Sequence, residues 1–583
     1  MPKMTGAEIF IRALELEGVE YIFGYPGGAV LDIYDKLKFS NIDHILVRHE
    51  QAAAIAADGY ARVTGKVGVC LATSGPGATN LVTGLAIAHM DSIPVVAFTG
   101  QVPTYMIGND AFQEVDTVGI TRPISKYNFL VKKVDELADT IKKAFYLAKT
   151  GRPGVVVVDL PKDVIREVTE FFDKEYKSKK VDIRGYKPNL KGHIGQIKKA
   201  AKELVLSARP VLYVGGGVIA SEAWEEIREL SELLNIPVTT TLMALGAIPY
   251  DHPNYLYMLG MHGSYAANMA ITECDLLLAV GARFDDRVTG KIEEFAPYAT
   301  IVHIDIDPAE IGKNKQPHIP IVGDAKLVLK ELIKEVKKLL NKYPQTQEIR
   351  KKWLKQVQKW KEMYPFYYEP SDRVIKPQYV VEKLSELTNG EAIVTTEVGQ
   401  NQMWAAQFYK VKKPRQFLSS GGLGAMGYGF PAAIGAQIAK PEATVIDIAG
   451  DGSIQMNIQE LATATQYNLP IKIAILNNGF LGMVRQWQGM FYDKNYSSVC
   501  LSVQPDFVKL AESYGAVGLR AEKPDEVEDV IKEALSIKDK PVVMDFICDR
   551  EEDVLPFVPP GMALKDMVLP KYRSKKKTKR KAV

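Results

Sequence analysis

Two apolar runs that end in Gly and Asn constrain this chain more than any other feature. The first, Ala443-Thr444-Val445-Ile446-Asp447-Ile448, leads directly into Ala449-Gly450-Asp451-Gly452-Ser453. The second, Ile471 to Leu476, ends at Asn477-Asn478-Gly479, and a helical segment separates the two. Apolar runs joined through a helix read as parallel strands. Asp451 and Asn478 then fall just past the carboxyl ends of two strands, where open α/β sheets bind ligands. A carboxylate and an amide oxygen are hard donors that suit Mg²⁺, which takes one or two protein carboxylates and fills its sphere with phosphate oxygens and water. Gly450 and Gly452 let the backbone approach a diphosphate, and the following helix start offers free N–H groups. The stretch therefore reads as a Mg²⁺-diphosphate anchor. Taken alone, Asp451 has a blander reading as the cap of an ordinary strand-turn-helix.

At 583 residues the chain is too long for one core, and three domains is the natural expectation. Strand-helix repeats fill residues 1–172, with Thr5 and Glu8 spaced as a capping box for the first helix. Residues 173–192 lose apolar periodicity and gain charge, which marks a linker. A middle domain is expected over 190–345 and a last one over 372–550, with 551–583 as a C-terminal extension. There is an internal echo. Strand, Gly75-Pro76-Gly77, helix and Ile-Pro-Val strand over 67–100 match strand, Gly-Asp-Gly, helix and Leu-Pro-Ile strand over 443–479. Two copies of one doubly wound domain explain it. Pro76 and Ala78 stand where the second copy has its metal donors, so the first copy is not a second metal site.

Composition excludes several classes. With 46% hydrophobic and 25% charged residues the chain is that of a globular protein rather than a disordered one. No run of eighteen apolar residues suggests a spanning helix. The N-terminus enters an amphipathic helix at once and lacks the pattern of a signal peptide, so the expected location is cytoplasmic. Cys70, Cys274, Cys500 and Cys548 are scattered, which argues against zinc or a disulfide framework. Net charge is +3, yet the last thirteen residues carry eight Lys or Arg, so the body is mildly acidic. We read that tail as a solvated extension, with no nucleic-acid or membrane partner expected.

Gly450-Asp451-Gly452 followed by Asn477-Asn478 resembles the motif of thiamine-diphosphate-dependent enzymes. The continuation Asn478-Gly479-Phe480-Leu481-Gly482-Met483-Val484-Arg485-Gln486-Trp487-Gln488 resembles the catalytic large subunits of the acetolactate synthase (acetohydroxyacid synthase) family. The likeness runs over residues 4–568. It implies three doubly wound α/β parallel-sheet domains: pyrimidine-binding, central FAD-binding and pyrophosphate-binding. It implies decarboxylation of pyruvate and condensation of the two-carbon remainder with pyruvate or 2-ketobutyrate. The products would be 2-acetolactate or 2-aceto-2-hydroxybutyrate, on the way to valine, leucine and isoleucine. The implied cofactors are thiamine diphosphate, Mg²⁺ and FAD. The implied assembly is a homodimer or dimer of dimers, with a separate regulatory small subunit.

The resemblance also assigns residues. Arg48-His49-Glu50-Gln51-Ala52-Ala53-Ala54 matches the segment whose Glu hydrogen-bonds to N1′ of the aminopyrimidine from the neighbouring subunit. Asp451, Asn478 and the main-chain oxygen of Phe480 would hold Mg²⁺, with Gly452 and Ser453 against the diphosphate. Met426, in the Gly-rich turn with Gly424, would prop the bent cofactor, while Gly399, Gln400 and Asn401 would meet its other ring. Glu50, Gln113 and Lys162 are the catalytic candidates. Gly28, Ala29, Phe112, Arg287 and Trp487 would line the substrate, with Trp487 favouring an ethyl over a methyl acceptor. Gly215 to Gly217 form no Gly-x-Gly-x-x-Gly fingerprint and carry little alone. By resemblance FAD would meet Arg152, Gly215, Gly216, Thr241, Leu242, Gly260, Met261, His262, Gly263, Gly281, Arg283, Asp285, Asp305, Ile306 and Asp324. Close rivals on the same fold are an FAD-dependent pyruvate oxidase and a catabolic acetolactate synthase without FAD. A non-catalytic binding protein is a rival of another class. Intact Glu50, Asp451 and Asn478 argue against the last.

Overall fold

The computed structural model describes residues 3–343 and 345–571. Apart from Lys571, the Lys/Arg-rich tail lies outside the described residues. The described chain is built on three six-stranded sheets, and all their pairings are parallel. The first comprises β1 (Tyr21–Gly24), β2 (Asp43–Leu46), β3 (Gly68–Ala72), β4 (Val95–Gln101), β5 (Tyr127–Leu130) and β6 (Val155–Pro161), in the order β2-β1-β3-β4-β6-β5. The second comprises β7 (Pro210–Val214), β8 (Val238–Thr240), β9 (Tyr255–Met258), β10 (Leu276–Val280), β11 (Thr300–Asp305) and β12 (Ile319–Val322), in the order β9-β8-β7-β10-β11-β12. The third comprises β13 (Ile393–Thr396), β14 (Phe417–Leu418), β15 (Val445–Gly450), β16 (Lys472–Asn477), β17 (Val517–Ala521) and β18 (Val542–Ile547), in the order β14-β13-β15-β16-β18-β17.

The first and third sheets thus share one strand order, and the echo between 67–100 and 443–479 falls on the third and fourth strands of each. The middle sheet has the dinucleotide-fold order, with its direction reversing between β7 and β10. Each sheet is buried on both faces, which is why the strands read as continuous apolar runs. Val69 and Leu71 of β3 join one core, while Cys70 and Ala72 join the opposite one. Leu276 and Leu278 of β10 are likewise separated from Leu277 and Ala279.

Five helices matter for the site: α1 (Gly6–Leu16), α2 (Glu50–Thr64), α3 (Gln400–Phe408), α4 (Gly429–Ala439) and α5 (Gly482–Phe491). Thr5 caps α1 through the expected box with Glu8. Helix α2 packs on α4, joining the first sheet's layer to the third's. The approach is backbone to backbone: a Cβ on Gly435 would lie 1.9 Å from the Ala56 carbonyl oxygen, and one on Gly59 would lie 2.3 Å from that of Ala432. Only glycine permits it.

Two stretches are more ordered than their composition suggests. Asp173–Ser178 is a helix, held by buried Tyr176 and by an ion pair from Arg12 of α1 to Asp173. Beyond position 550 the chain returns to the middle sheet, where Val558, Leu564 and Met567 enter its core and the Val558 N–H donates to the Met261 carbonyl. A few apolar residues in a polar segment suffice to dock it, and periodicity does not register them.

Candidate active site

The cleft at the carboxyl edge of the third sheet is lined only by residues between 398 and 484. Gly399, with φ of +149°, ends the turn after β13 and starts α3, where Gln400 and Asn401 face the cleft. Asn401 is fixed by donating to the Glu397 and Ile448 carbonyls, both at 2.8 Å. Asp451 follows β15 and is almost fully buried. Its Oδ2 accepts the Gly479 N–H at 3.1 Å and a hydrogen bond from Gln504 Nε2. Burial pushes this carboxyl up to about 6. Asn478 follows β16. Its Nδ2 donates to Gln400 Oε1 at 3.2 Å, which orients Oδ1 the other way, toward the Phe480 N–H at 3.1 Å.

Phe480 pairs with Cys500 in an antiparallel bridge. The flanking bonds, Leu481 N–H to Val499 and Leu501 N–H to Gly479, leave the Phe480 carbonyl out of the pairing. One carboxylate, one oriented amide and one unpaired carbonyl thus sit on adjacent turns, a donor set that suits Mg²⁺. Among the described residues no group of three or more His, Cys, Asp or Glu gathers as a metal site, so a metal here rests on that mixed set.

Met426 lines the cleft, and its Cε lies 3.9 Å from where a Cβ on Gly452 would stand. The glycines around it also have local structural reasons. A Cβ on Gly452 would meet Leu481 at 2.8 Å, and Gly424 is needed for its φ of +68° in otherwise open space.

The first-domain candidates gather at the carboxyl edge of the first sheet, away from this cleft. Glu50 is the first residue of α2, and its Oε2 accepts from Asn80 Nδ2 at 2.9 Å. Lys162 Nζ donates to the Gly28 carbonyl at 3.0 Å, and the Ala29 N–H donates to Thr73 Oγ1 at 3.3 Å. The backbone of Gln113 lies over Gly75, and the neighbouring Phe112 is 88% exposed. Glu50, Phe112, Gln113 and Lys162 line none of the third-sheet cleft within one chain.

Arg287 and Trp487 meet, with the guanidinium 6.0 Å from the ring centre, although they lie in different domains. Arg287 is otherwise exposed and paired with Asp286 at 2.9 Å. Trp487 sits past the cleft's lining residues, beside Phe491 and Phe557.

The FAD candidates occupy one edge of the middle sheet. Gly215 and Gly216 follow β7, Thr241 and Leu242 follow β8, and the Gly260–Gly263 turn follows β9. Gly281, Arg283 and Asp285 follow β10; Asp305 ends β11 and Ile306 follows it; Asp324 follows β12. Arg152 reaches this edge from the first domain and pairs with Glu310 at 2.7 Å and Asp307 at 3.2 Å. Gly215 proves to be a packing glycine, since its Cβ would stand 2.0 Å from the Gly281 carbonyl oxygen. Asp324 is engaged as a helix cap for Leu327. Buried Thr241 Oγ1 and His262 Nδ1 have no hydrogen-bond partner, and burial lowers the His262 imidazole to about 4, leaving it neutral. Orphaned polar atoms on a carboxyl edge suit a bound polar ligand.

Several polar residues near the cleft carry no motif. Buried Glu397, pushed up to about 7 by desolvation, accepts the N–H groups of Gly427 at 2.6 Å and Phe430 at 3.2 Å. Asp447 on β15 is raised well above the usual range by burial and by the neighbouring Glu397 charge. Glu460, raised to about 7 by burial, accepts the Arg48 N–H and so steadies the turn before Glu50. The legible signal was a carboxylate inside an apolar run, as at Asp447; Glu397 and Glu460 offer none.

Comparison with known proteins agrees with this geometry. Models of thiamine pyrophosphate enzymes match in three places: the N-terminal TPP binding domain over 4–120, the central domain over 197–332 and the C-terminal TPP binding domain over 397–546. Fold and cleft together are those of a thiamine pyrophosphate enzyme. The chain is 54% identical over 573 residues to the probable acetolactate synthase large subunit of Methanocaldococcus jannaschii, covering 97% of this chain and 95% of that one. It is 51% identical to the acetolactate synthase large subunit of Haemophilus influenzae, covering 98% and 99%. It is 54% identical over 566 residues to the acetolactate synthase of Mycobacterium leprae, covering 96% and 89%. The chain belongs to the acetolactate synthase large-subunit family.

Proposed function

We propose that this chain decarboxylates pyruvate and condenses the two-carbon remainder with a second pyruvate or with 2-ketobutyrate, releasing CO₂. Acetolactate synthesis of this kind feeds branched-chain amino acid formation. The observation that carries the reading is the donor set of Asp451, Asn478 and Phe480 at the third sheet's carboxyl edge. Bound there, thiamine diphosphate supplies the carbanion-stabilising centre that pyruvate itself lacks. Asp451, Asn478 and the Phe480 carbonyl would hold Mg²⁺ and with it the diphosphate, and Met426 would lie against the cofactor.

Glu50 is the carboxylate that would hold or release a proton at the aminopyrimidine. Glu50 lies outside its own chain's cleft, so a second copy supplies it. The exposure of Tyr105 and Phe112 on the same sheet edge suits such a contact. The active unit is then a homodimer or a multiple of it. FAD at the middle sheet's carboxyl edge would satisfy Thr241 and His262. A separate small subunit, as the relatives' designation implies, and a cytoplasmic setting complete the reading. No helix among the described residues is long and apolar enough to cross a membrane.

Purified protein given pyruvate, Mg²⁺ and thiamine diphosphate is expected to form acetolactate and no peroxide, and to show a flavin spectrum. Absence of acetolactate would overturn the reading, whereas a colourless active enzyme would remove FAD alone. Trp487→Leu is expected to reduce the preference for 2-ketobutyrate over pyruvate. One methylene in a hydrophobic pocket is worth about 1–3 kcal/mol, so the product ratio should move by roughly tenfold to two-hundredfold at most. An unchanged ratio in a competition assay would take Trp487 out of acceptor choice.

A further inference from the structure

A buried ion cluster lies where all three domains meet. Asp58 and Arg62 stand one turn apart on α2, and Asp91 follows the helix Val82–Met90. Arg62 Nε donates to Asp58 Oδ1 at 2.6 Å, and its Nη2 donates to Asp91 Oδ2 at 2.8 Å. None of the three side chains is more than 6% exposed. An ion pair this deep loses hydration on both sides and is weak evidence of stability for its own sake. What it grips is more informative.

It grips one loop, at both ends. Arg62 Nη1 donates to the Ser419 carbonyl at 3.2 Å. Asp91 accepts the N–H groups of Gly421 at 3.1 Å and Gly422 at 2.7 Å. At the far end Asp58 Oδ1 accepts the Tyr428 hydroxyl at 2.7 Å, and the Arg62 guanidinium lies 5.3 Å from the centre of that ring. The middle domain closes the remaining side, where a Cβ on Gly421 would stand 2.4 Å from Met243 Sδ. Between the held ends sits Met426, in the wall of the cleft.

We propose that Asp58, Arg62 and Asp91 are positioning residues that clamp the two ends of loop 419–428 and thereby set Met426 for thiamine diphosphate. The proposal rests on the cofactor reading given above. None of the three lines the cleft, so they act through the loop. Removing a hydrogen bond to a charged group then misplaces Met426 without touching any donor to the metal.

The test uses the full-length protein, with thiamine diphosphate and Mg²⁺ titrated against the fluorescence of cleft-lining Trp404. Tyr428→Phe deletes only the hydroxyl that Asp58 accepts, and Asp91→Asn keeps one acceptor but no charge. Each is expected to weaken cofactor binding about tenfold or more, with cofactor-free unfolding temperature close to wild type. Met426→Ala is also expected to weaken binding, and adding Tyr428→Phe to it should cost little more, because both changes act through one side chain. Additive losses, or wild-type affinity in both Tyr428→Phe and Asp91→Asn, would overturn the clamp. So would losses that merely follow a lowered cofactor-free unfolding temperature. If wild-type protein itself fails to bind thiamine diphosphate, the cofactor reading falls, and the clamp with it.

Discussion

Glu50→Gln is expected to give a folded protein that still binds thiamine diphosphate but turns over pyruvate about 10²–10⁴-fold more slowly, the usual worth of a positioned acid-base group. The substitution is nearly isosteric. Glutamine keeps an oxygen for Asn80 Nδ2, so the local contact at 2.9 Å survives. Position 50 is the first of α2, where losing a negative charge costs about 0.3–1 kcal/mol against the helix dipole, too little to unfold the chain. What the amide lacks is the carboxylate's ability to hold and release a proton. Steady-state kinetics beside a thermal melt would separate the two effects, and wild-type turnover would remove Glu50 from the mechanism.

Asp451→Ala should do the opposite, abolishing Mg²⁺-dependent retention of the cofactor while Glu50 stays intact. Asp451 is the one carboxylate in its donor set; losing even a residue that merely orients a metal ligand costs 10–100-fold in affinity, so the expected loss is about 10²-fold or more. Equilibrium dialysis of thiamine diphosphate with and without Mg²⁺ would measure it, and undiminished binding would relocate the metal. The pair also tests the two-chain site. Co-expressed Glu50→Gln and Asp451→Ala chains, each inactive alone, should regain activity, because a mixed dimer holds one cleft with intact Asp451 facing an intact Glu50. No recovery in an isolated mixed dimer would argue that Glu50 serves its own chain.

The parallel sheets, and the turns that carry Asp451 and Asn478 at their carboxyl ends, were legible because they are local in sequence. A strand followed by Gly-Asp-Gly, or by Asn-Asn-Gly, states both the element and what stands at its end. The middle sheet's edge was named only through the resemblance, and the packing of Gly215 on the Gly281 backbone carried no local signal. Contacts that join distant segments left no such trace. Gln504 meets Asp451 from 53 residues away, and Asp58 meets Tyr428 from 370. Asp58 and Arg62 did offer a clue, as charges of opposite sign at i and i+4 within a run of alanines. That spacing reads by default as a solvated pair on a helix surface. Only burial on every side reveals it as interior, and burial is a property of the assembled domains.

The glycine seam between α2 and α4 has an implication for how such chains can be recombined. Positions 56, 59, 432 and 435 meet with no side chain between them, so neither face can change shape without the other. A chimaera drawing its first domain from one relative and its third from another would have to inherit both sides of that seam together. The middle domain makes a contact of the same kind with the third, since a Cβ on Gly246 would lie 2.1 Å from the Lys413 carbonyl oxygen, so exchanging it would have to carry that partner surface too.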